Sequence, residues 1–120
     1  IMSINSKIKG KNYELEVRKD LKKLGYSNVK RSVQYCGNNT DSNNADLIGL
    51  NGIHIECKHY NNIGFKYECL EQAIRDSKNT ANLPAVFHRI NNHKTVVTML
   101  LQDWSKLYNE YYKNLHKDEL

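Results

Sequence analysis

The stretch Ala45-Asp46-Leu47-Ile48-Gly49-Leu50-Asn51-Gly52-Ile53-His54-Ile55-Glu56-Cys57-Lys58 constrains the fold more than any other part of the chain. Apolar and β-branched residues run up to Asn51-Gly52, the strongest short-range signal for a hairpin turn. Two short strands joined by a tight turn are expected. Residues two apart on a strand share a face, so Ile53, Ile55 and Cys57 are predicted on one side and His54, Glu56 and Lys58 on the other. Asp46 is out of place, because Asp is disfavoured in strands. The turn brings the two strands side by side, so Asp46, Glu56 and Lys58 should converge on one sheet face. Two carboxylates would then offer oxygen ligands to a hard cation, with an ammonium beside them. The same residues would also suit a solvated face with a chance Asp and a surface ion pair, so the rest of the chain has to decide.

Before the hairpin, Tyr13, Val17, Leu21 and Leu24 recur at helical spacing and Gly25 follows as a stop, predicting a helix over Lys11–Leu24. Glu14 borders its apolar stripe, while Glu16 falls further round toward solvent. Ser27–Tyr35 reads as a strand with Val29, Val33 and Tyr35 among basic Lys30 and Arg31. The polar stretch Cys36–Asn44 reads as a loop, either a plain connection or a mobile arm beside a ligand site. A second helix is predicted over Lys66–Asn79, with Tyr67, Leu70, Ala73, Ile74 and Ser77 inside and Glu71, Arg75 and Lys78 on another face. Strands over Pro84–Ile90 and Thr95–Leu101 flank a turn at Asn91-Asn92-His93. Asp103 is expected to cap a last helix, to about residue 115, whose Trp104, Leu107, Tyr108, Tyr111 and Leu115 form a broad apolar stripe. That stripe should pack on the rest of the fold and is also a candidate dimer surface. The order α-β-β-β-α-β-β-α predicts an α/β (α+β) fold with a mixed central sheet flanked by helices, in a single domain over residues 1–120.

A chain of 120 residues can bury one sizeable core. Its 18 basic against 13 acidic residues leave a net charge of +5, which favours a polyanionic partner. No apolar run is long enough to span a membrane, and the polar, lysine-rich N-terminus predicts no signal peptide. A cytoplasmic protein is therefore expected. The three cysteines Cys36, Cys57 and Cys69 have no C-x-x-C spacing and read as free thiols rather than disulfides or a zinc knuckle. On the same ground the C-terminal Lys117-Asp118-Glu119-Leu120 and the sequon Asn38-Asn39-Thr40 are read as coincidental resemblances to targeting and glycosylation signals. The lysine- and asparagine-rich composition gives an impression of phage origin.

A helix acid, then Asp at a strand start, then Glu-x-Lys on the next strand, within α-β-β-β-α-β, resembles the PD-(D/E)xK nuclease superfamily. The spacing looks most like the Holliday-junction resolvases of archaea and phages. Lys9-Gly10-x-x-x-Glu14 is similar to the opening motif of that group, and Val29-Lys30-Arg31-Ser32 to its basic residue and serine on the first strand. Ala45-Asp46-Leu47-Ile48-Gly49 and Ile55-Glu56-Cys57-Lys58 are similar to its two metal-site motifs. The resemblance covers about residues 9 to 101, with four motifs in order, and implies a restriction-endonuclease-like core. The chain departs from the pattern in lacking a proline before Asp46, in its long 36–44 loop, and after Lys58, where it is hard to align.

What the resemblance implies is metal-dependent phosphodiester hydrolysis. Asp46 and Glu56 would hold Mg2+, with Mn2+ as a substitute, and the Cys57 backbone carbonyl would be a third oxygen. Lys58 would orient or deprotonate the attacking water or stabilise the charge at phosphorus, and Glu14 would act from the helix side on a water of the ion or on a second ion. Lys9, Lys11, Lys30, Arg31, Ser32, Arg75, Lys78 and Arg89 are candidate DNA contacts. A four-way junction has two symmetry-related scissile phosphates, so a homodimer is implied. The rival readings are another endonuclease of the superfamily (restriction, nicking or homing type), a non-catalytic basic DNA-binding module, and a zinc protein built on His54, Cys57 and His59. Zinc is disfavoured because His54 and His59 lie on opposite strand faces, and the His54-x-Glu56 echo of zinc deaminases lacks the P-C-x-x-C that should follow. His88 and His93 read as sheet or surface residues rather than ligands.

Overall fold

The computed structural model describes residues 4–32, 45–62 and 64–119. The elements run α1 (Ile4–Lys23), β1 (Lys30–Arg31), β2 (Leu47–Ile48), β3 (Ile53–Tyr60), α2 (Tyr67–Ser77), β4 (Leu83–Ile90), β5 (Val96–Thr98) and α3 (Leu101–Leu115), with a single 3-10 turn at Lys117–Glu119. The α-β-β-β-α-β-β-α order is the expected one. Among the described residues, five strands lie in sequence order, β1-β2-β3-β4-β5. β1, β2 and β3 are antiparallel neighbours. β3 and β4 run parallel, Ile53 against Leu83 through Tyr60 against Ile90. Parallel neighbours need a crossover, and α2 provides it. β5 returns antiparallel to β4.

Side-chain parity divides the sheet between two helices. Ile55, Cys57, Ala85 and Phe87 face the side where Tyr13, Val17 and Leu21 of α1 pack, together with Val29 and Leu47. Val86 joins Leu70 and Ala73 of α2 in a second, smaller cluster. β3 and β4 are thus covered on both faces. Ile55, Leu47 and Val86 are completely buried.

The hairpin forms where expected, with a longer connection. Ile53 N–H donates to the Leu50 carbonyl at 3.1 Å, so Asn51 and Gly52 are the central turn residues. Only Gly52 has a positive φ, +89°, which gives a turn with the left-handed residue second rather than the doubly left-handed type that Asn-Gly favours. Gly49 is fixed by sterics. Its φ is +98°, and a Cβ there would sit 2.0 Å from the Asn28 carbonyl oxygen.

Several boundaries differ from the sequence pattern. α1 starts at Ile4 rather than Lys11, and Leu24 lies beyond its end with 71 % of its surface exposed. Tyr67, expected inside α2, is exposed. Asp103 does not cap α3. Leu100 is the cap residue, its carbonyl taking the N–H groups of Asp103 and Trp104 at 3.0 and 2.9 Å. Leu101 therefore opens the helix instead of closing β5, and Asp103 lies buried in the first turn, 3.8 Å from Lys106. Nor does the apolar stripe of α3 pack on the sheet. Trp104, Leu107, Tyr108, Tyr111, Tyr112 and Leu115 are each about half exposed. Val33, Tyr35, the 36–44 loop with Cys36 and the sequon, and Leu120 lie outside the described residues. Cys57 and Cys69 are free thiols. Among the described residues no helix is long and apolar enough to cross a membrane.

Candidate active site

The hydrogen bonding of Asp46 explains why an acid stands at the start of β2. Its N–H donates to the Ile55 carbonyl at 2.8 Å, continuing the β2–β3 ladder. Two residues further along β3 its carboxylate takes over, accepting the Cys57 N–H at 2.8 Å. A side chain thus replaces a backbone partner, and the site forms at that break.

Glu14, Asp46, Glu56, Cys57 and Lys58 all line one cleft of about 480 Å³. Glu14 comes from α1, Asp46 from the approach to β2, and the other three from the middle of β3. Glu14 is oriented by Arg31 of β1, whose Nε donates to Oε1 at 2.9 Å. Glu56 is almost wholly buried. Lys58 is half-buried. Around the acids the cleft carries five basic side chains, Lys7, Lys9, Lys11, Arg31 and Lys58, against three carboxylates. The three acids and the lysine that the sequence pattern singled out are therefore brought together.

Crowding of these acids is visible in their electrostatics. Burial, then the negative charge of Glu56 and more weakly that of Glu14, push the Asp46 carboxyl up to about 7, against the lowering effect of the Cys57 N–H and Lys58. Burial and the same acids push the Cys57 thiol up as well, so that side chain stays protonated and takes no part as a thiolate. A divalent cation between the carboxylates would relieve both effects. The donor set of hard oxygens fits such an ion.

Glu56 also has a second set of neighbours. His54 lies two residues back on the same strand face, its Nε2 3.3 Å from Oε1, and Asp76 of α2 is also close. Ligand atoms of His54, Glu56 and Asp76 lie within 4.8 Å of one another. Glu56 can thus be a cation ligand on either side. His54 meets these two acids rather than Cys57 or His59. Cys57 faces α1, and the His59 ring lies 5.3 Å from that of Tyr13.

The expected DNA contacts divide into three groups. Lys9, Lys11 and Arg31 line the cleft, with Lys9 bonded to Asn61 and Arg31 to Glu14. Lys30 on β1 and Arg75 and Lys78 at the end of α2 are exposed and lie outside the cleft, and Ser32 is half-buried. Arg89 is half-buried and tied into the fold. Its Nε and NH2 donate to the two Glu16 oxygens at 2.7 Å each, NH1 lies 3.1 Å from His59 Nε2, and the guanidinium stands over the Tyr13 ring. That network holds α1 on β4, and the Glu16 carboxyl is lowered by the arginine.

Lys7, His59 and Gln72 of α2 also line the cleft. For Lys7 the signal was present in the run Lys7-Ile8-Lys9-Gly10-Lys11, once the helix is known to start at Ile4. Gln72 sits among surface residues of an amphipathic helix, and nothing local distinguishes it.

A strand Asp and a Glu-x-Lys gathered with a helix acid at the break of a mixed sheet are the marks of the PD-(D/E)xK nucleases. Residues 5–119 match the family model described as "Phage putative PDDEXK endonuclease", and the chain belongs to that family. No curated protein and no solved structure matches the chain. Membership makes it an endonuclease, a phosphodiester hydrolase with DNA as substrate, of a superfamily that uses divalent metals.

Proposed function

We propose that the chain is a single-domain, Mg2+-dependent endonuclease selective for branched DNA, cutting four-way junctions as a homodimer in the cytoplasm of an infected or host cell. The observation that carries this reading is the shared cleft, lined by Glu14, Asp46, Glu56 and Lys58 together with Lys7, Lys9 and Lys11. Asp46 and Glu56 would hold the ion, the Cys57 carbonyl would supply a further oxygen, and Mn2+ would substitute. Such an ion neutralises phosphate oxygens and acidifies water. Lys58 stands beside Glu56 to orient the attacking water and to balance the charge that builds at phosphorus. Glu14, steadied by Arg31, accepts a hydrogen bond from that water and keeps it in line with the leaving oxygen. The lysines fix the backbone, with Lys30, Ser32, Arg75 and Lys78 as outlying contacts. Arg89 serves this surface indirectly, by anchoring α1 through Glu16.

Selectivity for structure over sequence is favoured by economy. Reading base edges takes an element that enters a groove, and the described residues hold only the sheet, its two covering helices and α3. The test is cleavage of a four-way junction, a flap and a plain duplex with Mg2+, Mn2+ or chelator, using wild type, Glu56→Ala and Lys58→Ala. The expected result is paired cuts in the junction, little cutting of duplex, and a loss on the order of a thousandfold in both variants with DNA binding retained. Equal cutting of duplex at defined sequences would favour a restriction, nicking or homing enzyme. Binding without cleavage under any metal would leave a basic DNA-binding module.

A further inference from the structure

Among the described residues, α3 is anchored only at its start. Asp103 is buried there, and Lys106 and Leu107 border a hollow of about 600 Å³ shared with Leu83 and Tyr26. Beyond that turn no described element covers it. Its exposed residues follow a strict pattern: Leu101, Trp104, Tyr108, Tyr111 and Leu115 are spaced 3, 4, 3 and 4 apart. That is the a/d repeat of a helix that packs lengthwise on another helix. Leu107 and Tyr112 flank the seam. The four charged residues of the helix, Asp103, Lys106, Glu110 and Lys113, all fall on its other positions, where they pair as Asp103–Lys106 and Glu110–Lys113.

We propose that this seam pairs with the same seam of a second copy across a two-fold axis. Three observations select that occupant. The seam carries no charge, and α3 has two acids and two bases while the whole chain is +5. Two copies can therefore meet there without repulsion, and a phosphate backbone finds no cation on it. An isologous contact also requires a patch complementary to itself, and an a/d stripe is. Finally, the area suffices. Half-exposed rings leave on the order of 100 Å² each, so the seven side chains offer roughly 700 Å² per copy, close to the share of a standard interface. The rings are already ordered, with Trp104 stacked on Tyr108 at 5.3 Å and Tyr108 6.2 Å from Tyr111. Little side-chain freedom is lost when a partner helix closes on them.

The inference supplies the surface for the two-fold pair proposed above and to that extent rests on that reading, but the helix pattern is independent of the cleavage chemistry. The test is sedimentation velocity of the full chain across a dilution series, with emission of Trp104, the only tryptophan, recorded alongside. Wild type should sediment at twice 14.0 kDa, and its emission should move to the red as dilution separates the copies. Tyr108→Glu should weaken pairing by roughly 100-fold while melting like wild-type monomer, because the ring is exposed within one copy. Glu56→Ala should lose cleavage and keep the dimer, so failure of the chemistry and failure of the interface read separately. Wild type that stays a single copy throughout the series would overturn the proposal. So would a dimer that survives Tyr108→Glu with Trp104 emission unchanged by dilution.

Discussion

The cleft and the outer face of α3 are opposites. In the cleft, acids are drawn out of water: Glu56 is 3 % exposed, and partial burial together with the charges of Glu56 and Glu14 moves the Asp46 carboxyl to about 7. On α3, aromatic rings are exposed, with Tyr111 at 59 % and Trp104 at 49 %. Soluble proteins normally hide the rings and expose the acids. Both regions therefore run against the burial rule that shapes the rest of the molecule. On the two proposals above, the acids would serve a cation and the rings a second copy of the chain. Local rules that fail in a natural fold tend to mark such places.

The comparison is sharpened by substitutions that should act differently in the two regions and in the core between them. Ile55, fully buried under α1, should cost about 2–5 kcal/mol as Ile55→Ala. In monomer at high dilution, Tyr111→Ala should change stability by about 0.5 kcal/mol or less. Urea melts of the two variants check both, and a large loss for Tyr111→Ala would mean that the ring is buried within one copy. Next in size is Gly49→Ala, where a Cβ would meet the Asn28 carbonyl at a left-handed φ. It should cost about 1–3 kcal/mol by the same melts, and a neutral result would show that the turn relaxes freely.

Smaller effects concern charge. Lys7→Ala should weaken DNA binding and reduce the log-log salt slope by about one unit, whereas Lys106→Ala on α3 should leave the slope unchanged. Fluorescence titrations at several salt concentrations check this. His88 provides the pH effect. Burial holds its pKa below the ordinary value of about 6.5. The neutral ring is the folded form, so its contribution is complete above that value and is lost as pH falls through the folded pKa. Its Nε2 lies 2.8 Å from Thr98 Oγ1 and its ring 4.8 Å from that of Phe65. Melting temperature should drop on mild acidification in wild type and drop less in His88→Gln. Equal slopes would remove His88 from the account.

Much of this was legible in the chain itself. Alternation around Ile53–Lys58 correctly divided the strand faces, because a strand buried on both sides enforces its register. Asp46 drew attention by being unsuited to a strand, and its bond to the Cys57 N–H is the reason it is there. The 3.6-residue period of Tyr13, Val17 and Leu21 located the face of α1, but not its start, since Ile8, five residues before Tyr13, falls off that face and is half exposed. Partners brought together only by the tertiary fold could not be read locally. Arg89 looked like a free cation until α1 delivered Glu16 to it, and Asp76 reaches Glu56 only because α2 crosses the sheet above it. The stripe of α3 was visible, yet periodicity cannot tell a helix that packs inward from one that faces outward.

The central claim is that Asp46 and Glu56 together hold a divalent ion. Calorimetric titration of Mn2+ into wild type, Asp46→Asn and Glu56→Gln measures this without any DNA. The account predicts one saturable binding event in wild type, weakened at least about tenfold by Asp46→Asn and by Glu56→Gln. Binding that is unchanged by Asp46→Asn, or no binding to wild type at all, would contradict it.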